Sequence, residues 1–346
     1  PDSVQRGGKA LWSCPHKDRS CGYNFTIRSS QSRVTADSSA FVERSVHVGS
    51  DQRVGNSRSY LGVCDSVRYA EKDFPSLLLG ESMKIKYLAL GPAAMGYFAL
   101  LGKMHQLKES KELENLSEIS GASAGAILAL LYSIFDGDTK ELLDFSMDQE
   151  ISSKTKLNIQ TLFNNFGLID TTEIKDVIKE TIKQKIDLEN PTFAEFDAKV
   201  NIKIHISAYC LENSETQYFS SDATPEVRVV DAIMASIAVP FLFSAAKIKD
   251  KLYVDGGLCE SAPMAPFLSK RGEEVQAITI MSRREMNEIN DIKSFTQKIV
   301  NSILKNRIKY ENIKTSKIDL RNYDIFDFKA KDTDRLEMFV KGFLTI

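Results

Sequence analysis

A five-residue motif near the middle of the chain has the composition of a catalytic turn. Gly121-Ala122-Ser123-Ala124-Gly125 has the form G-x-S-x-G. A serine on a sharp turn between a strand and a helix exposes its hydroxyl, and small neighbours let other backbone approach it. Free N–H groups at the start of the following helix would stabilise an oxyanion. The same residues also fit a serine N-cap on a buried helix whose glycines serve close packing.

A serine nucleophile needs a base, and histidine is the usual one. The chain has four histidines: His16, His47, His105 and His205. His105 falls within an amphipathic helical pattern and His205 within an alternating strand pattern, so we interpret both as structural. Histidine and cysteine form no metal-ligand spacing anywhere in the sequence. We therefore predict neither a metal nor a cofactor.

Asp255 is the other candidate base. The stretch "KLYVDGGLCESAP" places Asp255 directly after an apolar strand and before Gly256 and Gly257. Functional side chains project from strand ends in open α/β sheets, and glycines permit tight backbone geometry beside them. A plain Asp-Gly hairpin turn would have the same residues. Ser123 and Asp255 lie 132 positions apart, so only folding could bring them together.

The elements that would position these residues alternate between strands and helices. Hydrophobic periodicity predicts strands at Lys84–Gly91, Leu116–Gly121, Asn201–Leu211, Thr216–Ser220, Lys251–Val254, Glu274–Met281 and Asp324–Phe328. It predicts helices at Gly96–Leu107, Ser123–Phe135, Thr171–Ile186, Val227–Ser236, Ile292–Tyr310 and Thr333–Lys341. This order predicts a three-layer α/β/α domain with a largely parallel central sheet.

Composition changes near Met83, which opens the apolar stretch "MKIKYLALG". Residues 1–82 contain eight arginines, three lysines and one isoleucine, whereas residues 83–346 contain seven arginines and 27 lysines. The first part is rich in serine and lacks a sustained period, so we expect it to be poorly ordered. Two interpretations stay open: a disordered extension, or a non-native upstream segment. The predicted domain is residues 83–346.

Charge and hydropathy narrow the classes of partner. The formal net charge of −2 gives no global attraction to nucleic acid or to an anionic membrane. No run of 18 apolar residues is present, which predicts that no transmembrane segment exists. Five cysteines cannot form a complete disulfide framework. These features favour a cytoplasmic protein, with peripheral membrane contact left open.

Four segments resemble, in the same order, the patatin-like phospholipases, a family of lipid acyl hydrolases. They are "YLALGPAAMGYFALLGKMHQL", "EISGASAGAILALL", "DAIMASIAVPFLF" and "YVDGGLCESAP". The resemblance extends over roughly residues 84–280. Several motifs in the right order are far more specific than any one of them alone.

The resemblance implies a Ser123–Asp255 dyad without histidine. Ser123 would attack an ester carbonyl, Asp255 would accept its proton, and water would hydrolyse the acyl-enzyme. The implied substrates are phospholipids or acylglycerols at a membrane or lipid surface, cleaved as by a phospholipase A or an acylglycerol esterase. Residues 236–243 and the helix from Gly96 are candidates for an apolar groove. No protein partner is indicated.

The turn "GPAAMG", residues 91–96, departs from the family pattern G-G-G-x-R/K-G. Pro92 has no N–H to donate, and Met95 stands where a cation is usual. The candidate oxyanion-binding residues are Gly91, Ala93, Ala94 and Ala124. The motif glycines implied by the resemblance are Gly96, Gly121, Gly125, Gly256 and Gly257.

This departure keeps two rivals open beside the lipid hydrolase. One is a catalytically weak or inactive lipid-binding or interaction protein on the same fold. The other is a different serine acyl hydrolase, such as a thioesterase.

Overall fold

The computed structural model describes residues 84–282, 288–290, 292–305, 307–310 and 313–346. The expected disorder of residues 1–82 concerns a segment outside these residues. The described strands are β1 (Tyr87–Leu90), β2 (Glu118–Ala122), β3 (Gly167–Ile169), β4 (Lys203–Cys210), β5 (Glu215–Phe219), β6 (Phe241–Phe243), β7 (Ala246–Ile248), β8 (Lys251–Asp255), β9 (Val275–Ser282) and β10 (Lys314–Leu320).

The described α-helices alternate with these strands. They are α1 (Tyr97–Glu109), α2 (Ala124–Ile134), α3 (Thr139–Met147), α4 (Ile151–Lys154), α5 (Ile159–Asn165), α6 (Thr172–Ile186), α7 (Phe193–Asp197), α8 (Val229–Ser236), α9 (Ile292–Lys305) and α10 (Asp332–Phe343). Short 3₁₀ turns lie at Ala94–Gly96, Gly256–Leu258, Ala265–Phe267 and Gly272–Glu274. None of the described helices has the length and apolarity needed to cross a bilayer.

The strands form one large sheet and one small sheet. In the large sheet the order is β10-β9-β1-β2-β4-β8-β7, and β5 also pairs with β4. The pairs from β10 to β4 are parallel, whereas β5, β7 and β8 pair antiparallel. β3 and β6 form the small parallel sheet. The predicted mixed α/β fold with a largely parallel central sheet is therefore confirmed.

Side chains along β1 alternate between two apolar clusters on opposite faces of the sheet. Leu88 and Leu90 belong to the main core, which also contains the buried faces of the helices. Ala89 points the other way, where it joins Met264 and Phe267 in a smaller cluster. Because both faces of β1 are covered, its apolar residues run without interruption, as in a central parallel strand.

The first and last described helices approach each other closely. A Cβ on Gly102 of α1 would lie 1.9 Å from the carbonyl oxygen of Phe339. A Cβ on Gly342 of α10 would lie 1.9 Å from the carbonyl oxygen of Ala99. Only glycine allows the two backbones to come this near, so α10 depends on this pair of residues for its packing.

Two sequence predictions near the C-terminal end are wrong. Asp324–Phe328 forms turns, and the edge strand is β10 instead. The Asp324 carboxylate accepts the Phe326 N–H at 3.0 Å, and such a local bond favours a turn over a strand. The predicted helix Ile292–Tyr310 ends at Lys305, and Ile308 forms a parallel bridge with Glu260.

Candidate active site

Ser123 lies on a strained turn between β2 and α2. Its backbone has φ 56° and ψ −126°, a conformation that residues other than glycine rarely adopt. The side chain makes no capping hydrogen bond to α2, so the alternative of a serine N-cap is not supported. A Cβ on Gly121 would lie 2.4 Å from the Gly125 carbonyl oxygen, and one on Gly125 would lie 2.3 Å from the Leu90 carbonyl oxygen. The glycines therefore make the sharp turn possible.

A buried serine fixes the backbone of this turn. The Ser123 N–H donates to the Ser236 hydroxyl at 2.9 Å, and that hydroxyl donates to the Ser207 carbonyl at 2.7 Å. Ser236 ends α8 and is fully buried. Ser236 lies within the family-like segment "DAIMASIAVPFLF", but the segment alone predicts no role for it. Its signal was a polar side chain at the end of a helix whose only other polar residue is Asp231.

Strand β4 brings Ser123 and Asp255 to the same level of the sheet. Ala122 pairs with Ser207, and the next residue of β4, Ala208, pairs with Asp255 at the end of β8. The Asp255 N–H also donates to the Ala238 carbonyl at 2.9 Å, just beyond α8. The two residues, distant in sequence, therefore line one pocket.

The Asp255 carboxylate is buried, and its two oxygens differ in their hydrogen bonding. Oδ1 accepts the Gly257 N–H at 2.7 Å, whereas Oδ2 has no partner of standard hydrogen-bond geometry in the described part of the chain. Burial raises the pKa of Asp255 to about 6, although the nearby Ser123 hydroxyl, the Gly257 N–H and the Arg307 charge each lower it. A carboxylate with this pKa can accept a proton near neutral pH.

Arg307 is a pocket residue that could not be predicted from local sequence, because the hydrophobic period predicts a long helix at this position. The Ile308 N–H donates to the Cys259 carbonyl at 2.7 Å, and the Ser261 N–H donates to the Ile308 carbonyl at 2.9 Å. This pairing brings Arg307 beside the Asp-Gly-Gly segment, where Nη1 donates to the Gly257 carbonyl at 3.4 Å. Arg307 thus lines the same pocket as Ser123 and Asp255.

The family model for patatin-like phospholipases matches residues 88–268, which is more than half of the chain. The chain belongs to this family. The resemblance drawn from four short segments is thereby confirmed, and the match includes both the G-x-S-x-G turn and the Asp-Gly-Gly segment.

Two viral proteins are similar to this chain over part of their length. "Uncharacterized protein R571" of Acanthamoeba polyphaga mimivirus is 28% identical over 188 residues, covering 53% of this chain and 62% of that protein. "Probable lipid hydrolase 463L" of Invertebrate iridescent virus 6 is 26% identical over 195 residues, covering 53% and 64%. The chain therefore spans less than two thirds of the length of these relatives.

Solved structures similar to this chain include two bacterial proteins. VipD from Legionella pneumophila superimposes with a TM-score of 0.47 at 15% identity, covering 75% of this chain and 65% of VipD. The type III effector ExoU, from Pseudomonas aeruginosa, gives a TM-score of 0.39 at 14% identity, covering 75% and 52%.

The candidate oxyanion-binding residues differ in whether their N–H groups are already engaged. The Gly91 N–H donates to the Ile278 carbonyl at 2.9 Å, and the Met95 N–H donates to the Ile325 carbonyl at 2.9 Å. The N–H groups of Ala93, Ala94 and Ala124 have no acceptor within the residues described. Of the four predicted oxyanion residues, three thus keep an available donor, while Gly91 directs its N–H into the sheet.

Pro92, which departs from the family pattern, packs directly against Gly257 of the Asp-Gly-Gly segment. A Cβ on Gly257 would lie 2.4 Å from Cβ of Pro92, so the proline ring covers this glycine directly. A Cβ on Gly256 would lie 2.4 Å from the Ser207 carbonyl oxygen. Ala94 has φ 46°, a conformation that glycine adopts without strain. Ala94 therefore holds a strained backbone conformation within this turn.

An apolar pocket of about 240 Å³ adjoins Ser123. Its apolar lining includes Ala94, Met95, Tyr97, Phe98, Ile127, Leu131, Ile178, Ile237, Val239, Phe243, Leu258, Val300, Ile325 and Phe328. The two segments expected to line a groove, residues 236–243 and the helix from Gly96, both contribute. Met95 is buried among these residues, so its position carries apolar surface where a family cation would be expected.

Both described histidines have structural partners away from the pocket. His105 Nδ1 lies 2.8 Å from Thr139 Oγ1, and His205 Nε2 lies 2.8 Å from Glu118 Oε2. Both rings are buried, and burial lowers the pKa of each. No cluster of three or more potential metal ligands occurs among the residues described. The prediction that these histidines are structural fits their contacts.

Proposed function

We propose that this chain is a lipid acyl hydrolase that cleaves carboxylic esters of phospholipids or acylglycerols through Ser123 and Asp255. One observation carries the proposal. The buried Asp255 carboxylate, whose Oδ2 has no hydrogen-bond partner among the described residues, lines an apolar pocket together with Ser123, which has a strained backbone. Such a pair can activate a hydroxyl without histidine. The family and the name of the viral relative 463L agree with ester cleavage in lipids.

In the first step, Ser123 Oγ attacks the carbonyl carbon of the ester and transfers its proton to Asp255. The carbonyl oxygen becomes an oxyanion, and the candidate donors to it are the N–H groups of Ala93, Ala94 and Ala124, which line the pocket and have no acceptor among the described residues. The Asp255 carboxylate must be ionised for this step. Its pKa of about 6 leaves it ionised at neutral pH and basic enough to take a proton.

Collapse of the tetrahedral intermediate breaks the bond to the alcohol, which leaves with the proton held by Asp255. An acyl-enzyme on Ser123 remains. Water then attacks the acyl carbon and gives a proton to Asp255, which returns it to Ser123 Oγ as the carboxylic acid departs. The same carboxylate therefore acts twice as base and twice as acid.

The decisive experiment combines covalent labelling with product analysis of the full chain. A fluorophosphonate probe should add to Ser123, and mass spectrometry of phosphatidylcholine and triacylglycerol digests should show released fatty acid. Ser123→Ala should lose both the adduct and the product, whereas Ser133→Ala, another buried serine, should keep them. Fatty-acid release by Ser123→Ala at the wild-type rate would refute the nucleophile assignment.

A lipid-binding protein without hydrolysis is the second candidate, and the oxyanion turn favours it. Pro92 lacks an N–H, and the N–H groups of Gly91 and Met95 are engaged elsewhere. Loss of one oxyanion donor costs on the order of 100-fold in rate. Absence of the probe adduct together with retained lipid binding would support this candidate. Faster cleavage of acyl thioesters than of matched oxygen esters would instead indicate a thioesterase.

A further inference from the structure

One face of the short helix α5 exposes large apolar side chains. Ile159 and Phe163 are four residues apart and so lie on one side of the helix, and Phe166 directly follows its last residue, Asn165. Their exposed fractions are 65%, 74% and 59%, and nearby Leu157 is 65% exposed. Phe241 is 46% exposed and pairs with Gly167, the residue after Phe166. We call these five residues the α5 face.

Two of these phenylalanines have a left-handed backbone conformation, which favours glycine. Phe166 has φ 63° at the end of α5, and Phe241 has φ 65° at the start of β6. Bulky side chains rarely adopt this left-handed conformation, and a helix end of this kind usually carries glycine. An exposed aromatic side chain gains little from packing here. The strain therefore points to a use for the aromatic surface itself.

The α5 face borders the pocket that contains Ser123. Ile151, Lys154 and Thr155, just before Leu157 in the chain, line that pocket. Val239 and Phe243, on either side of Phe241, line it as well. A surface that contacts the α5 face therefore lies at the edge of the pocket.

Charge around the α5 face is positive. Residues 150–170 contain Lys154 and Lys156 between Glu150 and Asp170. Residues 237–251 contain three lysines and one acidic residue, Asp250, so the two segments together carry a net charge of about +2. Lys156 and Lys247 are exposed. The net charge of the whole chain is −2, so this positive rim is a local feature. Exposed aromatic residues with flanking lysines match an anionic lipid surface.

We propose that the α5 face docks the protein on an anionic lipid bilayer and opens the pocket toward the acyl chains. This inference rests on the proposed function, because a lipid ester held in a bilayer must reach Ser123 from that surface. The aromatic side chains would enter the boundary between head groups and acyl chains, while the lysines would contact lipid phosphates and carboxylates.

The test measures vesicle binding separately from hydrolysis. Full-length protein carrying Ser123→Ala would be sedimented with vesicles of equimolar phosphatidylcholine and phosphatidylserine. Adding Phe163→Ser should weaken the partition about tenfold, a loss expected for one buried aromatic side chain. Adding Phe166→Gly should weaken it similarly while keeping or raising the melting temperature, because glycine relieves the strained φ.

The matched control is Leu268→Ser. Leu268 is 58% exposed. It follows Phe267, whose ring contacts Tyr87 at the start of β1. Leu268 therefore lies near the N-terminal ends of the parallel strands, whereas Ser123 follows the C-terminal end of β2. This variant should bind vesicles like its parent. With Ser123 intact, Phe163→Ser should cleave a soluble short-chain ester at the wild-type rate.

Three outcomes would overturn the proposal. Unchanged vesicle binding by both Phe163→Ser and Phe166→Gly would exclude the α5 face as the docking surface. Equal weakening by Leu268→Ser would show that apolar exposure in general, not this face, causes binding. A dimer in light scattering that Phe163→Ser dissociates would show that a second copy covers the face. If the fluorophosphonate adduct is absent but vesicle binding follows the prediction, the proposed function fails and the docking surface stands.

Discussion

At the scale of single residues, the environment of Asp255 sets what the site can do. Burial opposes the negative charge, while the Gly257 N–H, the Ser123 hydroxyl and the Arg307 guanidinium stabilise it. The effect of burial is the largest of these, so the pKa of Asp255 is raised, to about 6. The carboxylate is consequently a stronger base than an exposed aspartate and is still ionised at neutral pH.

Asp255→Asn should stabilise the fold at high pH while it removes activity. Because the pKa of Asp255 is raised from its usual 3.8 to about 6, the ionised form costs about 3 kcal/mol in the folded protein. The wild-type free energy of unfolding therefore falls as pH rises through this interval and stays low above it. Urea unfolding should show the variant more stable by up to about 3 kcal/mol at about pH 8 and by almost nothing at about pH 4. An equal difference at both pH values would contradict the shift.

Arg307→Gln should move the acidic limb of the pH–rate profile toward higher pH. The guanidinium lowers the pKa of Asp255, so its removal lets that pKa rise further. In the proposed mechanism activity requires ionised Asp255, so we expect the rate to fall as pH falls through the pKa of Asp255, which is about 6 in the wild type. Profiles of initial rate on a short-chain ester measure the shift.

The charge-conserving variant Arg307→Lys provides the control. It should keep the limb near the wild-type position, since a cation stays beside the carboxylate. A limb that stays in place for Arg307→Gln would refute the electrostatic role. An equal loss of rate at every pH would indicate a structural role instead.

At the scale of secondary-structure elements, the site depends on how α8 contacts the turn after β2. The Ser236 hydroxyl joins the Ser123 N–H to the Ser207 carbonyl, so it connects α8, the strained turn and β4. A turn held in a rare conformation persists only when its surroundings determine it. Ser236 is in this sense a positioning residue for Ser123.

Ser236→Ala should lower both stability and catalysis. It leaves the Ser123 N–H and the Ser207 carbonyl buried without this partner, a loss of about 1–3 kcal/mol. Relaxation of the turn should lower kcat with little change in KM, because the variant leaves the pocket lining intact. Urea unfolding and steady-state kinetics measure the two effects.

Ser133→Ala is the matched control, since Ser133 is also buried and donates one bond at 2.8 Å to the Ile202 carbonyl. It should lower stability and leave kcat unchanged. If Ser236→Ala behaves in the same way, Ser236 has no positioning role.

At the scale of the whole molecule, α1 and α10 join parts of the chain that are distant in sequence. Gly102 and Gly342 permit the close crossing, and α10 also packs Met338 and Phe339 into the main core. Because α1 directly follows the turn at residues 91–96, its packing against α10 also supports the candidate active site.

Gly342→Ala should destabilise the whole domain. The added methyl would lie 1.9 Å from the Ala99 carbonyl oxygen, so the helices must separate. Overpacking of this kind costs about 1–3 kcal/mol, which a lower melting temperature would reveal. Gly272→Ala is the control, because a Cβ there meets no atom within 4 Å. Equal melting temperatures for the two variants would show that α10 adapts without strain.

Motifs and periods along the chain were enough to predict the family, the fold class and the two residues proposed for catalysis. The reason is that "GASAG" and "VDGG" encode local geometry: small residues where backbone must approach, and a functional side chain at a strand end. Local hydrophobic periods also predicted the elements around β1, α1, β2 and α2. Only the ends of these elements shifted by a few residues.

The roles of Arg307, Ser236 and Gly342 and the α5 face could be recognised only in the folded chain, because they depend on contacts between distant parts of the sequence or on exposure. Arg307 has its role only because Ile308 pairs with Cys259 and Ser261. Local period predicted a helix there instead. Ser236 and Gly342 likewise act through partners more than 100 positions away. The α5 face is visible only when the exposure of each apolar residue is known, since an apolar residue in sequence is normally read as core.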